Sequence, residues 1–120
     1  MSDSCIFCKI VAGQIPSKKA YEDDEILAFH DISPAAPVHV LIIPKLHIES
    51  LADCEGQHGE LLGRMAGLAP RIARELGAGY DGPDGTNGFK AMFNTGRGGG
   101  QEVYHLHLHV LGGPRPWKPR

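Results

Sequence analysis

The alternation of hydrophobic and polar residues predicts five β-strands along the chain. The candidate segments are short and rich in β-branched or aromatic residues: "AYEDD" (20–24), "ILAFHDI" (26–32), "VHVLIIP" (38–44), "FKAMFN" (89–94) and "VYHLHLHVLG" (103–112). Glycines, prolines and acidic residues separate these segments, as is typical of strand ends. Because consecutive strands have short connections, we expect an antiparallel sheet.

A helical repeat of apolar residues predicts two helices. Between residues 56 and 77 a single apolar stripe recurs at spacings of three and four, formed by Leu61, Leu62, Met65, Leu68, Ile72 and Leu76. Pro70 lies inside this segment, and glycines follow it. Near the start of the chain, "CIFCKIVAG" predicts a short helix that Gly13 ends. The expected fold class is α+β, with one long helix, one short helix and a five-stranded antiparallel sheet.

Composition and charge exclude several classes of protein. A chain of 120 residues fits one domain. The 12 basic and 14 acidic residues give a net charge of −2, which disfavours nucleic acid as a partner. The sequence has no apolar run long enough to span a membrane, and its start lacks the features of a signal peptide. Three cysteines do not suggest a disulfide framework, so we expect a cytoplasmic protein.

Three histidines at alternate positions, His105, His107 and His109, are the main candidates for chemistry. On a strand they would share one face, and a buried imidazole without partners costs about 1–3 kcal/mol, so a purely structural role is disfavoured. Two functions fit: binding of a metal ion, or nucleophilic attack on phosphorus. The preceding segment "NTGRGGGQ" favours phosphorus, because glycines let main-chain N–H groups approach an anion.

Three segments resemble a known family. "GGQEVYHLHLHVLGG" resembles the signature of the histidine triad (HIT) family, and "FHDISPAAPVHVLIIPKLH" (29–47) and "CIFCKIVAGQIPSKKAYEDD" (5–24) resemble its other blocks. "LGG" after the third histidine resembles the nucleotide-binding, phosphoramidase-like branch. The resemblance implies one HIT domain over 1–120, with a tail at 113–120. It also implies a homodimer, paired through the long helix and "FKAMFN" into one ten-stranded sheet, with Trp117 of the tail reaching toward the partner.

The resemblance also implies catalytic roles for four histidines. His107 corresponds to the nucleophile, which attacks the α-phosphorus and forms a nucleotidyl-histidine that water then hydrolyses. His109 would donate to a non-bridging phosphate oxygen. His105 and His39 would lie behind the nucleophile and fix its tautomer and orientation. A neutral imidazole suits this role because it attacks without first losing a proton.

Nucleotide-binding positions follow from the same resemblance. Asp31 corresponds to the residue that accepts hydrogen bonds from the ribose hydroxyls, although an Asp before Ser-Pro also suits a plain turn. An apolar slot for the base would be formed by Ile6, Phe7, Ile10, Phe29 and Ile32. The phosphate and leaving-group positions correspond to Asn94, Gly100, Gln101, Glu102 and Val103. Such a slot stacks on a base but reads it poorly, so we expect purine tolerance, with AMP and GMP as products.

Glu102 stands where relatives carry serine. Its carboxylate could hold a proton for a leaving amine or face solvent, and the sequence leaves both open.

Cys5 and Cys8 lie at i and i+3 and share one helical face. A redox pair is disfavoured by the bulky residues between them. Two alternatives stay open: buried small hydrophobic residues, or two ligands of a zinc ion. Bacterial-type members of the family imply His47 and His105 as the other ligands of a structural zinc. The hydrolytic chemistry would require no cofactor.

Three functional hypotheses follow. The first is a hydrolase of purine nucleoside phosphoramidates and acyl adenylates. The second is a nucleotide-binding module with negligible turnover that acts through partners. The third is a zinc hydrolase that uses the three alternating histidines as its ligands.

Overall fold

A computed structural model describes residues 4–115 of the chain. In chain order the elements are helix α1 (Ile6–Val11), strands β1 (Lys19–Glu22), β2 (Ile26–His30) and β3 (Val38–Pro44), helix α2 (Gly59–Glu75), and strands β4 (Phe89–Phe93) and β5 (Leu108–Gly112). Short 3₁₀ turns lie at Leu51–Asp53, Gly56–His58 and Arg97–Gly99. The expected α+β class, with five antiparallel strands, one long and one short helix, is confirmed. Trp117 lies outside the described residues.

All strand pairs are antiparallel, and the sheet order is β1-β2-β3-β5-β4. The last strand in sequence therefore lies inside the sheet, between β3 and β4. In its register with β3, His109 pairs with Leu41 and Leu111 pairs with His39. This pairing brings the fourth histidine of the predicted site close to the histidine segment.

The sheet separates two apolar clusters. On one face α2 packs against the strands, and this cluster includes Met65, Ile72, Val40, Leu106 and Leu108. On the other face α1 covers the sheet, with a smaller cluster of Phe7, Ile10, Leu27, Phe29, Leu41 and Ile43. Because strand residues alternate between faces, the leucines of "HLHLH" point toward α2 and its histidines lie on the α1 face. The expected division of this segment into two faces is thus present.

The strand itself is shorter than the sequence predicts. The prediction covers 103–112, whereas β5 spans Leu108–Gly112, so His105 and His107 precede it. The partner strand ends at Pro44, which has no N–H to extend the ladder. Instead, Leu106 N–H donates to the carbonyl of Ile48 at 2.6 Å. The segment that carries His105 and His107 therefore lies outside the sheet, and its main chain bonds to the loop after β3.

The long helix begins slightly later than expected. The prediction covers 56–77, whereas α2 spans Gly59–Glu75 and the preceding turn Gly56–His58 is a 3₁₀ helix. Pro70 lies inside α2. At the other end of the chain, Gly13 follows α1 with a φ of 79°, as a helix-ending glycine should. Within the described part of the chain, no helix has the length and apolarity needed to cross a membrane.

Candidate active site and metal cluster

The imidazole of His107 is fixed by the main chain. Its Nδ1 lies 2.7 Å from the carbonyl oxygen of His105, and the edge of the Phe7 ring packs against it at 5.2 Å between centroids. A carbonyl oxygen only accepts, so Nδ1 carries the proton and Nε2 of the neutral ring carries a lone pair. Burial lowers the pKa of His107, although the bond to His105 and the charges of Asp31 and Glu102 oppose this.

A second hydrogen-bond chain fixes His109. The N–H of Ala35 donates to Nδ1 of His39 at 3.1 Å, so the neutral His39 ring carries its proton on Nε2. This Nε2 lies 3.1 Å from Nδ1 of His109, which therefore accepts, leaving the His109 proton on Nε2. Burial, with repulsion from His107 and His39, lowers the pKa of His109 to about 4. His109 is thus a neutral hydrogen-bond donor.

The position of His39 differs from the expectation in one respect. The sequence predicts that His105 and His39 lie behind the nucleophile and between them fix its tautomer and orientation. In the structure the main-chain carbonyl of His105 holds the His107 ring, and His39 orients His109 instead. His39 also lies 3.5 Å from the carboxylate of Asp31. A main-chain carbonyl therefore orients the His107 ring, whereas a histidine side chain orients the His109 ring.

A cavity of about 550 Å³ lies beside His107 and His109. His107 and His109 line it together with ten of the eleven predicted nucleotide-binding residues: Ile6, Phe7, Ile10, Phe29, Asp31, Ile32, Asn94, Gly100, Glu102 and Val103. Ile32 is 98% exposed and stands at the rim. Gly100 has a φ of 82°, a conformation that brings the glycine loop beside the histidines and that other residues rarely adopt. The volume suits a ligand of nucleotide size.

Gln101, the eleventh predicted residue, is not among those lining the cavity. It is buried, and its amide donates to the carbonyls of Glu49 (2.7 Å) and Val103 (3.0 Å) and accepts from Gly96 N–H (2.8 Å). These bonds use its donors and its oxygen within the protein. Gln101 therefore braces the glycine loop, a structural role that differs from the expected contact with phosphate.

Asp31 forms the predicted turn and also lines the cavity. Its Oδ1 accepts from Ser33 N–H at 2.8 Å, as a turn-forming aspartate does. The same carboxylate lines the cavity, where its remaining acceptor positions can meet a vicinal diol.

Sequence reasoning missed several residues that line the cavity, among them Ile15, Lys18 and Leu41. Leu41 carried a detectable signal, because it lies two positions after His39 on a strand and so shares its face. Lys18 adds a positive charge near the acidic Asp31, and its loop position gave no periodic signal.

The two cysteines meet two histidines at the N-terminal end of α1. The Sγ atoms of Cys5 and Cys8 and the Nδ1 atoms of His47 and His105 all lie within 4.8 Å of one another. Cys5 Sγ to His105 is 3.3 Å, Cys8 Sγ to His47 is 3.3 Å, and the two Nδ1 atoms are 3.2 Å apart. A tetrahedral zinc with two thiolate and two imidazole ligands has ligand–ligand distances of about 3.3–3.8 Å.

The tautomer of His105 also suits a metal ligand. Its Nε2 lies 2.8 Å from the carbonyl oxygen of Pro44 and donates to it, so Nδ1 carries a lone pair toward the cluster. A hydrogen-bonded second ring nitrogen is typical of metal-binding histidines. Burial lowers the pKa of His105, with the Pro44 bond opposing. The donor set and its geometry therefore fit zinc.

The three alternating histidines do not converge on one ion. Among the described residues, the ring of His105 joins the cysteine cluster, while His109 groups with Asp31 and His39. The Nδ1 of His107 is used by a carbonyl. This arrangement gives no support to the third hypothesis, a zinc hydrolase that binds its metal through all three rings.

The fold and the site define a class: α+β proteins in which alternating histidines beside a glycine loop face a nucleotide-sized cavity on a five-stranded antiparallel sheet. A family model described as "Scavenger mRNA decapping enzyme C-term binding" matches residues 4–117. The chain belongs to the histidine triad (HIT) family.

Two relatives match almost the whole chain. Protein HitA of Neisseria gonorrhoeae is 52% identical over 112 residues, which are 93% of this chain and 98% of that protein. The purine nucleoside phosphoramidase of Escherichia coli K12 is 46% identical over 119 residues, 99% of this chain and 94% of that enzyme.

Solved structures show the same fold. A HIT family hydrolase from Legionella pneumophila has a TM-score of 0.85 and 46% identity, and the match covers 93% of this chain and 95% of that one. A histidine triad protein from Clostridium difficile has a TM-score of 0.85 and 42% identity, over 100% and 99% of the two chains. Family membership and these relatives together support hydrolase activity.

Proposed function

We propose that the protein hydrolyses purine nucleoside 5′-phosphoramidates, and mixed anhydrides such as acyl adenylates, to nucleoside 5′-monophosphates through a nucleotidyl-histidine intermediate. The observation that carries this proposal is the 2.7 Å contact between His107 Nδ1 and the His105 carbonyl. It directs a lone pair to Nε2 of a ring that lines the nucleotide-sized cavity. The phosphoramidase activity named for the E. coli relative agrees with this chemistry.

The reaction proceeds in two displacements. Nε2 of His107 forms a bond to the α-phosphorus while the bond from phosphorus to the amine breaks; the electron pair leaves with the amine nitrogen, which takes up one proton. Water then attacks phosphorus, the bond to His107 breaks with its electron pair returning to the ring, and one proton is released. For an acyl adenylate, a carboxylate leaves in the first step. Splitting one difficult step into two lowers each barrier.

The surrounding residues bind and orient the nucleotide. Asp31 accepts hydrogen bonds from the ribose hydroxyls, and the apolar slot that includes Phe29 and Ile10 stacks on the purine. His109 donates Nε2–H to a non-bridging phosphate oxygen, where negative charge grows in the transition state. Asn94 and the main chain at Gly100, which line the same cavity, bind the phosphate.

Rapid quenching of His107→Ala tests the nucleophile. With a phosphorus-labelled adenosine phosphoramidate, the wild type should show label on His107 within the first turnover, and the variant should show none. Hydrolysis should fall by about 10⁴-fold or more, while AMP binding stays within a few-fold. His58→Ala, a histidine outside the cavity, is the matched control and should keep full activity.

The same experiment distinguishes the proposed hydrolase from the alternative, a nucleotide-binding module with negligible turnover. That alternative expects AMP binding by both proteins, no labelled His107 and no difference in hydrolysis. Persistent hydrolysis by His107→Ala would contradict the nucleophile assignment itself.

We also propose that Cys5, Cys8, His47 and His105 hold a structural zinc ion. Four protein ligands close the coordination shell, so the ion would stabilise the fold and leave no open position for a substrate. It would fix α1, the segment after β3 and the histidine segment to one another. The proposal is supported by the ligand distances and the His105 tautomer, and no chemical step depends on the ion.

A homodimer is the third proposal. The sheet ends at β4, and within residues 4–115 this strand has a hydrogen-bonded neighbour on one side. An edge strand that presents free main-chain groups is a template for pairing. We propose that β4 pairs with β4 of a second copy, and α2 with α2, to form a ten-stranded sheet.

A further inference from the structure

A second cavity adjoins the active-site cavity. It has a volume of about 310 Å³, and it shares Ile6, Glu102 and Val103 with the lining of the larger cavity. On its far side it is lined by Glu49 and by Tyr104, which is 47% exposed. Glu102 therefore borders both spaces, next to the histidines on one side and next to Glu49 on the other.

The second cavity is negatively charged. Glu49 and Glu102 are both exposed carboxylates, and none of the described residues that line the cavity is a lysine or an arginine. The metal ligands Cys5 and His47 also line it. A zinc ion with two thiolate ligands adds no net charge, so the proposed metal leaves both carboxylates unbalanced. Tyr104 offers the face of an aromatic ring, which attracts cations.

The position of this cavity fits the leaving group. The purine slot and Asp31 account for the nucleoside, and an in-line displacement by His107 expels the amine on the opposite side of phosphorus. The amine must therefore extend away from His107 and outside the purine slot, toward the end of the glycine loop. Glu102 and Val103 end that loop and form the boundary with the second cavity.

We propose that the second cavity is a leaving-group subsite, and that Glu102 and Glu49 select amines that carry an additional positive charge. This inference rests on the proposed function, because it names the substrate class of the same active site. It also assigns a role to Glu102 that the sequence left open: the carboxylate attracts a distant ammonium group on the substrate and is a specificity-determining residue.

Two substrates of matched size test the inference. One is the adenosine 5′-phosphoramidate of 1,5-diaminopentane, whose free end is cationic; the other carries 1-hexylamine, which has the same chain length and no charge at its end. For the wild type, kcat/KM should be about fourfold higher for the cationic substrate, since each of the two exposed charge pairs contributes a factor of about two. This preference should decline in concentrated NaCl, because salt screens exposed charges.

Glu49→Gln is the decisive variant. Glu49 lines the second cavity and not the active-site cavity, so hydrolysis of the hexylamine substrate should stay at the wild-type value. The preference for the cationic substrate should fall to about twofold. Glu75→Gln, an exposed carboxylate at the end of α2, is the matched control and should retain the full preference. Glu102→Gln should also lower the preference.

The outcomes separate this inference from the proposed function. Equal kcat/KM for the two substrates, or a preference that Glu49→Gln leaves unchanged, would overturn the leaving-group subsite while hydrolysis itself persists. Failure of the wild type to hydrolyse either substrate would overturn the proposed function, and the subsite with it.

Discussion

His105 belongs to both functional clusters at once. Its side chain is fully buried, Nδ1 faces the cysteines and Nε2–H donates to Pro44. Its main-chain carbonyl accepts from His107, the proposed nucleophile. A change in the backbone at this residue would therefore move the hydrogen bond that sets the His107 tautomer. The cysteine cluster and the proposed nucleophile are therefore connected through one residue.

Replacing His105 should impair both clusters without removing the nucleophile. In His105→Ala the proposed zinc site loses one ligand and the Pro44 carbonyl loses its partner. We expect substoichiometric zinc by atomic absorption and a decrease in kcat of about 10–100-fold. Labelled His107 should still form, more slowly, in rapid-quench experiments.

Cys8→Ser provides the comparison for this experiment. It removes a metal ligand but keeps the His105 ring and its bond to Pro44, so zinc should be lost with a smaller decrease in kcat. Full zinc occupancy in either variant would contradict the proposed ligand set. A His105→Ala protein as inactive as His107→Ala would contradict the smaller, indirect effect expected of the His105 ring.

At the level of elements, the sequence predicted the sheet better than it predicted its ends. The alternation in "HLHLH" identified the correct faces because side-chain direction depends only on a local period of two. The strand boundary at Leu108 depends on Pro44, which is more than sixty positions away and stops the ladder from the partner side. Local patterns carry no information on such pairing.

In the candidate site, too, some features follow from the sequence and others depend on tertiary contacts. Ten predicted nucleotide-binding residues line the cavity. They were assigned by resemblance to the family, and not from the spacing of the residues. Gln101 lies in the same motif, yet its amide binds Glu49, which is distant in sequence. The bond from His39 to His109 likewise requires the β3–β5 register. Tertiary hydrogen bonds of this kind were not readable from spacing.

The turn between β1 and β2 depends on one carboxylate. Asp23 accepts from the main-chain N–H groups of Glu25 and Ile26 (2.8 Å each), from the Tyr21 hydroxyl (2.7 Å) and from Arg64 of α2 (2.6 Å). Burial raises the pKa of Asp23, but these bonds outweigh it and lower the pKa to about 2. The turn thereby fixes the edge hairpin to the long helix.

Asp23→Asn should therefore destabilise the fold in a pH-dependent way. The folded-state pKa lies below the ordinary value of 3.8, so the stabilisation is complete above that value and is lost as the pH falls toward 2. We expect the free energy of unfolding to decrease by about 1 kcal/mol at pH 7, since the partly exposed pair with Arg64 is screened by solvent. Urea titrations at several pH values measure the difference.

Asp24→Asn is the control, because it changes the exposed neighbour of Asp23 in the same turn. It should unfold like the wild type at every pH. A difference between Asp23→Asn and the wild type that stays constant down to pH 2 would contradict an electrostatic origin.

At the level of the whole molecule, the two faces of the sheet have separate tasks. The α2 face holds the larger apolar cluster, while the α1 face carries the cavity, the histidines and the cysteine cluster. Assembly through α2 and β4 would use the first face and one edge, and it would leave the cavity on the second face open. The proposed dimer is therefore compatible with the proposed chemistry.

The register of β4 allows a sharp test of that dimer. Gly113 N–H donates to the carbonyl of Gly88 at 3.0 Å, beside the pair of Phe89 and Gly112. Because bonded and non-bonded positions alternate along an antiparallel strand, Lys90 and Met92 direct their N–H groups toward β5, and Ala91 directs its N–H outward. A second copy that pairs with β4 would therefore accept a hydrogen bond from the N–H of Ala91.

Ala91→Pro should accordingly separate folding from assembly. Proline is tolerated on an edge strand where the missing N–H faces away from the sheet, so the bonds to β5 survive while an outward donor is lost. Sedimentation velocity should show a monomer for Ala91→Pro and a dimer for the wild type and for Ala91→Val, which keeps the amide and favours a strand. A folded Ala91→Pro protein that sediments as a dimer would mean that the two copies do not pair through β4.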